Sequence, residues 1–295
     1  MAQFEALKRS IESTRDLGSV VRTMKTLAAV SIRQYEQAVD SLEDFSETVE
    51  QGLKMVLWDI QPGLILPELQ ADGTTGIIIF GTDQGMCGQF NEQIGSYALE
   101  YFPRNTSNDD KLSWLVIGSR IMGKLQDAKV EIDFDFSLPG SATGIAQLVT
   151  GILASIDEWR SKRRLGRIFI FYNQRVSAST YKPHALQLLP IAPERFFRQK
   201  QRNWPSRTLP AFTMNRNTLL SRLIRQYLFV SLFRACAESL AGENASRIAS
   251  MQAAERNIKE RLVNLQSEFN QQRQASITEE LLDVVTGFEA LKDEK

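Results

Sequence analysis

The distribution of proline constrains this chain more than any other feature. All nine prolines fall between Pro62 and Pro210, leaving the first 61 residues and the last 85 without one. Glycine follows the same division, with 13 of 17 in the central stretch and only Gly18, Gly52, Gly242 and Gly287 outside it. Proline breaks helices and glycine weakens them. Two long helical flanks around a mixed central domain is the economical reading.

Apolar spacing supports the flanks. A 3/4 ladder runs from Phe4 through Leu7, Ile11, Val21, Ala28, Ile32, Tyr35, Val39, Leu42, Val49 and Leu53 to Val56, with Thr14, Gly18, Lys25 and Ser46 as its small or polar rungs. A period held that long predicts a coiled-coil seam rather than an ordinary amphipathic helix. The C-terminal flank shows Ile258, Leu262, Leu265 and Phe269, then Ile277, Leu281, Val284, Phe288 and Leu291. The step from 269 to 277 predicts a stutter near Gln272–Gln274 that changes the supercoil locally.

The centre alternates between short apolar runs (Ile77–Phe80, Trp114–Gly118, Ile168–Tyr172) and helical stretches at 90–102, 119–128 and 144–160. That alternation predicts a Rossmann-like parallel α/β domain, with 176–191 as an additional edge strand. Residues 103–111 read as a polar loop. The expected organisation is an N-terminal coiled-coil helix over 1–58, an α/β domain over 75–208 and a C-terminal coiled-coil helix over 211–291.

If both flanks leave the central domain from one side, they pair antiparallel. Counting outward, Met1 reaches roughly residue 268 at about 1.5 Å per residue. About 27 residues then project alone, on the order of 40 Å, with Ile277, Leu281, Val284, Phe288 and Leu291 on one face. Apolar side chains of this kind contribute roughly 1.5–3 kcal/mol each when buried. An unpartnered stripe of them predicts a partner that encloses the tip.

The stretch GTDQGMCGQFN (81–91) joins an apolar strand to a helix and raises the prospect of a phosphate site. It lacks the GK[ST] ending of a P-loop, and Gly81, Gly85 and Gly88 do not match G-x-G-x-x-G. A tight strand-to-helix turn is the favoured reading. Gly85 and Gly88 would allow a sharp backbone path, Cys87 would be a small buried hydrophobe, and Asn91 would cap the next helix. No cofactor is expected.

Lys+Arg and Asp+Glu both total 35, so no global electrostatic pull toward nucleic acid or anionic lipid follows. Two basic clusters, Arg160–Arg164 and Arg195–Arg202 with Trp204, read first as a solvated helix end and a surface for acidic partners, with nucleic acid a minority reading. Two distant cysteines, Cys87 and Cys236, suggest neither a disulfide framework nor a zinc site. The single histidine, His184, reads as structural. No run of 18 apolar residues predicts a membrane span, and the charged start does not read as a secretory signal.

Several segments resemble the gamma subunit of F-type ATP synthases. ESLAGENASRIASMQAA (238–254) and RQASITEELLDVV (273–285) are similar to that family's C-terminal motifs. VRTMKTLAAV (21–30) is similar to its N-terminal segment and GTDQGMCGQFN to its central turn. The resemblance implies a non-catalytic rotor shaft whose coiled coil stands inside a ring of alpha and beta subunits. Its central domain would contact the epsilon subunit and the membrane c ring, at the cytoplasmic face of an energy-transducing membrane. It also implies ring contacts for Met24 and Lys25, and for Arg273, Gln274, Thr278 and Glu280 beside the apolar Ile277, Leu281 and Val284. A charged partner on a beta subunit would rationalise Lys25 on a seam rung.

Departures from the family pattern are Leu7–Ile11 with Glu12 and Asp16 in place of a strongly basic start, Val30 and Ser31, and Thr82–Asp83 before the turn. They suggest a divergent branch of alternative bacterial type. Two other readings stand beside the shaft: a nucleotide-dependent α/β enzyme with helical dimerisation arms, and a coiled-coil adaptor.

Overall fold

The computed structural model describes residues 2–57, 74–102, 112–163, 165–176, 180–191 and 211–293. The 103–111 loop, Arg164 and the Arg195–Trp204 cluster lie outside the described residues, as do the side chains of Phe288 and Leu291. The elements in chain order are α1 (Ala2–Asp40), α2 (Glu43–Leu57), β1 (Thr74–Phe80), α3 (Phe90–Tyr101), β2 (Leu112–Ile117), α4 (Ser119–Asp127), β3 (Ile132–Phe136), α5 (Ile145–Arg163), β4 (Leu165–Arg175), β5 (Tyr181–Leu189) and α6 (Arg216–Asp293). Backbone contacts divide the chain into two compact units, residues 28–247 and residues 1–27 with 248–295.

The larger unit is built on a five-stranded sheet of order β3-β2-β1-β4-β5. The pairs β1–β2, β1–β4 and β2–β3 are parallel, and β5 is an antiparallel edge on β4. Successive strand residues point to opposite faces, and here both faces are covered. Ile78, Phe80, Leu115, Ile117, Ile168 and Ile170 pack under α2, α5 and the first part of α6, where Leu53, Val56, Ile152, Trp159, Leu232 and Cys236 are buried. Ile77, Ile79, Trp114, Val116 and Phe171 pack under α3 and α4 against Ile94, Ile121 and Leu125. Burial on both faces explains why β1 reads as a continuous apolar run.

Two features differ from the expected organisation. The N-terminal flank is not one helix: Ser41 and Leu42 interrupt it. The Ser41 hydroxyl donates to Ala38 O (2.9 Å), and Leu42 N bonds Val39 O (3.1 Å) in an i−3 pattern. A serine hydroxyl that competes for helical carbonyls loosens the ladder locally. Opposite β5, the other edge strand, β3 (IDFDF), was not anticipated. Helix α6 runs unbroken for 78 residues, and the 269–277 step in its apolar ladder falls where its pairing with α1 ends.

In the smaller unit α1 and α6 run antiparallel. Phe4 stacks on Phe269 at 4.4 Å, a Cβ on Gly18 would lie 3.3 Å from Ile258, and Lys25 pairs with Glu255. The predicted rungs Phe4, Leu7, Ile11, Thr14, Gly18, Val21 and Lys25 are the inward residues of α1 here. The α6 side is Met251, Ile258, Leu262, Leu265 and Phe269, ending at Gln272. The expected register was off by a few residues, since Phe4 rather than Met1 meets the 268–269 level. About 20 residues, roughly 30 Å of helix, therefore extend beyond the pair.

Candidate functional site

In an open α/β sheet, ligands sit outside the carboxyl ends of the strands where the strand order reverses. Here that point lies between β1 and β4, from which the chain winds one way to β2 and the other to β5. The turn after β1, Gly81–Gln89, forms one rim and Asn173, near the end of β4, the other. The crevice is filled by the chain's own α6.

Gly242 allows that close approach. A Cβ there would lie 3.4 Å from Asn173 O and 3.5 Å from the Phe90 ring. One turn later the Ser246 hydroxyl donates to Cys87 O at 2.6 Å and lies 3.1 Å from the Tyr181 hydroxyl. The Asn173 amide donates to Phe90 O (3.2 Å), and the Phe90 and Tyr181 rings pack at 5.0 Å. Beside them the buried Glu243 accepts from Arg247 at 2.5 Å, and Arg247 also donates to Asn244 Oδ1 at 3.2 Å. Burial raises the Glu243 carboxyl above its ordinary value, against the pull of Arg247. The nearby helix N-terminus, a ready anion site, is also occupied. Asp83 accepts from Ser119 N at the start of α4 (2.8 Å) and from Leu138 N (2.7 Å).

The turn's own geometry follows. Gly81 cannot carry a side chain, because a Cβ would lie 2.3 Å from Ile121. The left-handed positions are Met86 (φ 62°) and Gly88 (φ 60°). Replacing Ser246 with alanine leaves Cys87 O without its donor in a buried place, at a cost of about 1–2 kcal/mol; urea unfolding of the variant checks this.

In the smaller unit, the end of α6 is bare. Every side chain from Arg273 to Thr286 is exposed. Ile277, Leu281 and Val284 are 46%, 60% and 70% exposed, and Leu282 and Val285 lie equally open beside them. Thr278 bonds back to Gln274 O (2.9 Å).

Comparison with known proteins decides between the readings. The family model described as ATP synthase matches residues 3–291. The chain belongs to the ATP synthase gamma family. It is 26% identical to the ATP synthase gamma chain of Pasteurella multocida (strain Pm70) and 28% identical to that of Histophilus somni (strain 129Pt). Each alignment covers 99% of this chain and all of the relative. Its fold is similar to a chain in the rotor of the Euglena gracilis mitochondrial ATP synthase, with a TM-score of 0.66 and 15% identity over 94% of this chain and 99% of that one. A chain in the central stalk/c-ring structure of the Tetrahymena thermophila enzyme gives 0.56 and 17% over 80% and 99%.

Within this gamma-family fold the anticipated residues separate into groups. Cys87 is buried, 3.8 Å from Thr82 Oγ1 and Gln84 O. Gly88 needs its glycine, but Gly85 does not: it has no positive φ, and a Cβ would meet only the Arg120 side chain at 3.6 Å. Asn91 is not the helix cap, which falls at Gln89. It braces the turn instead, accepting from Thr82 N (3.0 Å) and donating to Thr82 Oγ1 (2.8 Å). Met24 and Lys25 are half-buried, and Lys25 finds its counter-charge within the chain, on Glu255 Oε2 at 2.6 Å. That hydrogen bond holds the Glu255 carboxyl below its ordinary value. A beta-subunit carboxylate is therefore not needed to balance this seam lysine.

Arg273, Gln274, Ile277, Thr278, Glu280, Leu281 and Val284 all lie on the exposed end. Sequence reasoning missed Asp83, Asn173, Glu243, Ser246 and Arg247. Glu243 and Arg247 stand four apart in an otherwise apolar and small-residue stretch, a spacing at which a helical ion pair forms.

Proposed function

We propose that this chain is the central shaft of an ATP synthase, a non-catalytic subunit that carries rotation between a membrane c ring and a ring of alpha and beta subunits. The larger unit would face the epsilon subunit and the c ring, at the cytoplasmic face of the membrane. The α1–α6 pair would stand inside the alpha–beta ring. The bare end of α6 carries this reading. Monomeric proteins rarely leave contiguous large apolar side chains in water, and Ile277, Leu281 and Val284 are exposed at helical spacing with no partner helix beside them among the described residues.

Arg273, Gln274, Thr278 and Glu280 flank that stripe and offer hydrogen bonds to the ring as the shaft turns. Met24, half-buried beside Lys25, would meet the ring at a lower level. The filled crevice supports the non-catalytic part of the reading, because the place where a doubly wound sheet takes a nucleotide holds Gly242 and Ser246. This weighs against the enzyme with dimerisation arms. No helix among the described residues is long and apolar enough to cross a membrane, so membrane association would run through partners.

The test is a triple variant, Ile277→Ser, Leu281→Ser and Val284→Ser. Because these side chains are already in water, the chain's own stability should change by no more than about 0.5 kcal/mol per site. Reconstituted with alpha and beta subunits, the variant should lose most of its ability to restore their ATPase activity. Full activity of the triple variant would refute the shaft reading.

A further inference from the structure

A pocket of about 160 Å³ lies within the larger unit, bounded by α2, β4, β5 and the first part of α6. Its ionisable lining is Glu50 from α2, Tyr172 from β4, His184 from β5, and Tyr227, Arg234 and Glu238 from α6. Ser46, Gln174 and Ser231 add uncharged polar groups, and Val49, Leu186 and Val230 complete the wall. None of these groups takes part in the crevice or in the exposed end of α6.

One observation asks for an occupant. Glu238 Oε2 is shielded by the protein yet meets no protein donor, while the Tyr172 hydroxyl bonds the same carboxyl. Buried polar atoms in native proteins find a partner in the protein or in ordered water. The volume holds roughly five waters at about 30 Å³ each, and the wall supplies more than the two to four polar partners a water needs. The charges do not favour an anion, since Glu50 and Glu238 stand against the one guanidinium of Arg234. No three metal-ligating side chains cluster among the described residues.

We propose that this pocket is a binding site for a cluster of ordered water molecules that completes the hydrogen bonding of Glu238 and links it to the polar groups of α2 and β5. The low-dielectric surroundings act on two groups of the wall. Burial raises the Glu238 carboxyl, with Arg234 and Tyr172 pulling the other way, and burial lowers the His184 imidazole. Raised in the folded state, the Glu238 carboxyl contributes stability that is fully present below its unfolded value. That contribution fades as pH climbs through the folded value.

The experiment compares the full-length chain with Glu238→Gln, which keeps shape and hydrogen bonding, and Glu238→Leu, which keeps bulk alone. High-resolution structures should show solvent density within hydrogen-bond distance of Glu238 Oε2, retained in the glutamine variant and reduced or lost in the leucine variant. Thermal unfolding from about pH 4 to pH 8 gives the second readout. Relative to Glu238→Gln, the parent should lose midpoint as pH rises. A dry or collapsed pocket, or a bound solute other than water, would overturn the proposal. So would a parent-to-glutamine difference that is flat with pH or of opposite sign.

Discussion

Replacing Arg247 with methionine is expected to cost the chain about 3–5 kcal/mol, the penalty for stripping one partner from a buried ion pair. Glu243 and Arg247 are both almost fully buried, 5% and 9% exposed, and Arg247 is the group that counters the desolvation of the Glu243 carboxyl. Without it, the carboxyl must either stay charged in a poor medium or take up a proton. Its folded value is already raised, so the stability it carries is greatest at low pH and is lost as pH rises through that value. The deficit of Arg247→Met should therefore be larger at pH 8 than at pH 5. A second change, Glu243→Leu on the Arg247→Met background, removes the stranded acid and should recover much of the loss, as apolar replacement of whole buried pairs does. Urea unfolding of the parent, the single variant and the double variant at both pH values provides the measurement. A loss independent of pH, or a double variant no better than the single one, would show that the pair is not the source.

Gly118→Ala should damage the larger unit to a similar extent. Gly118 stands between β2 and α4 at φ 109° and ψ 129°, with backbone atoms of Thr82 2.8–2.9 Å from where a Cβ would be. The conformation alone costs an L-residue about 1–3 kcal/mol, and the overlap adds roughly 1–3 kcal/mol because the obstacle is main chain rather than a movable side chain. The sum, about 2–6 kcal/mol, should appear as poor soluble yield and a lowered denaturation midpoint. Gly123→Ala is the control. It lies within α4, where a Cβ would meet nothing within 4 Å, and alanine there should stabilise the chain by up to about 1 kcal/mol. Similar outcomes at the two glycines would contradict this account.

Much of the architecture was legible because it repeats. The rungs from Phe4 to Lys25 are the inward residues of α1, and the ladder's break after Phe269 coincides with the level where α1 runs out. What reads in sequence as a stutter is therefore the end of pairing within the chain. The break at Ser41–Leu42 was hidden because the apolar period continues across it. Strand β3 was hidden by the acidic residues Asp133 and Asp135, although its alternation is plain once the sheet is known. The turn at 81–91 reads in sequence as a tight strand-to-helix turn, but what fills the crevice beside it does not. Its occupant, Ser246, is 159 residues away from Cys87 in sequence, and no local pattern announces a contact of that range. Asn91 was read through helix capping when its amide in fact staples Thr82. Lys25 looked unpaired because its partner, Glu255, sits on the other flank.

The helix lodged in the β1–β4 crevice has a consequence for small molecules. A covalently attached occupant competes at an effective concentration on the order of millimolar or above. It also arrives already shaped to the cleft, through Gly242 and Ser246. A free nucleotide entering the crevice would have to displace a resident it cannot dilute away.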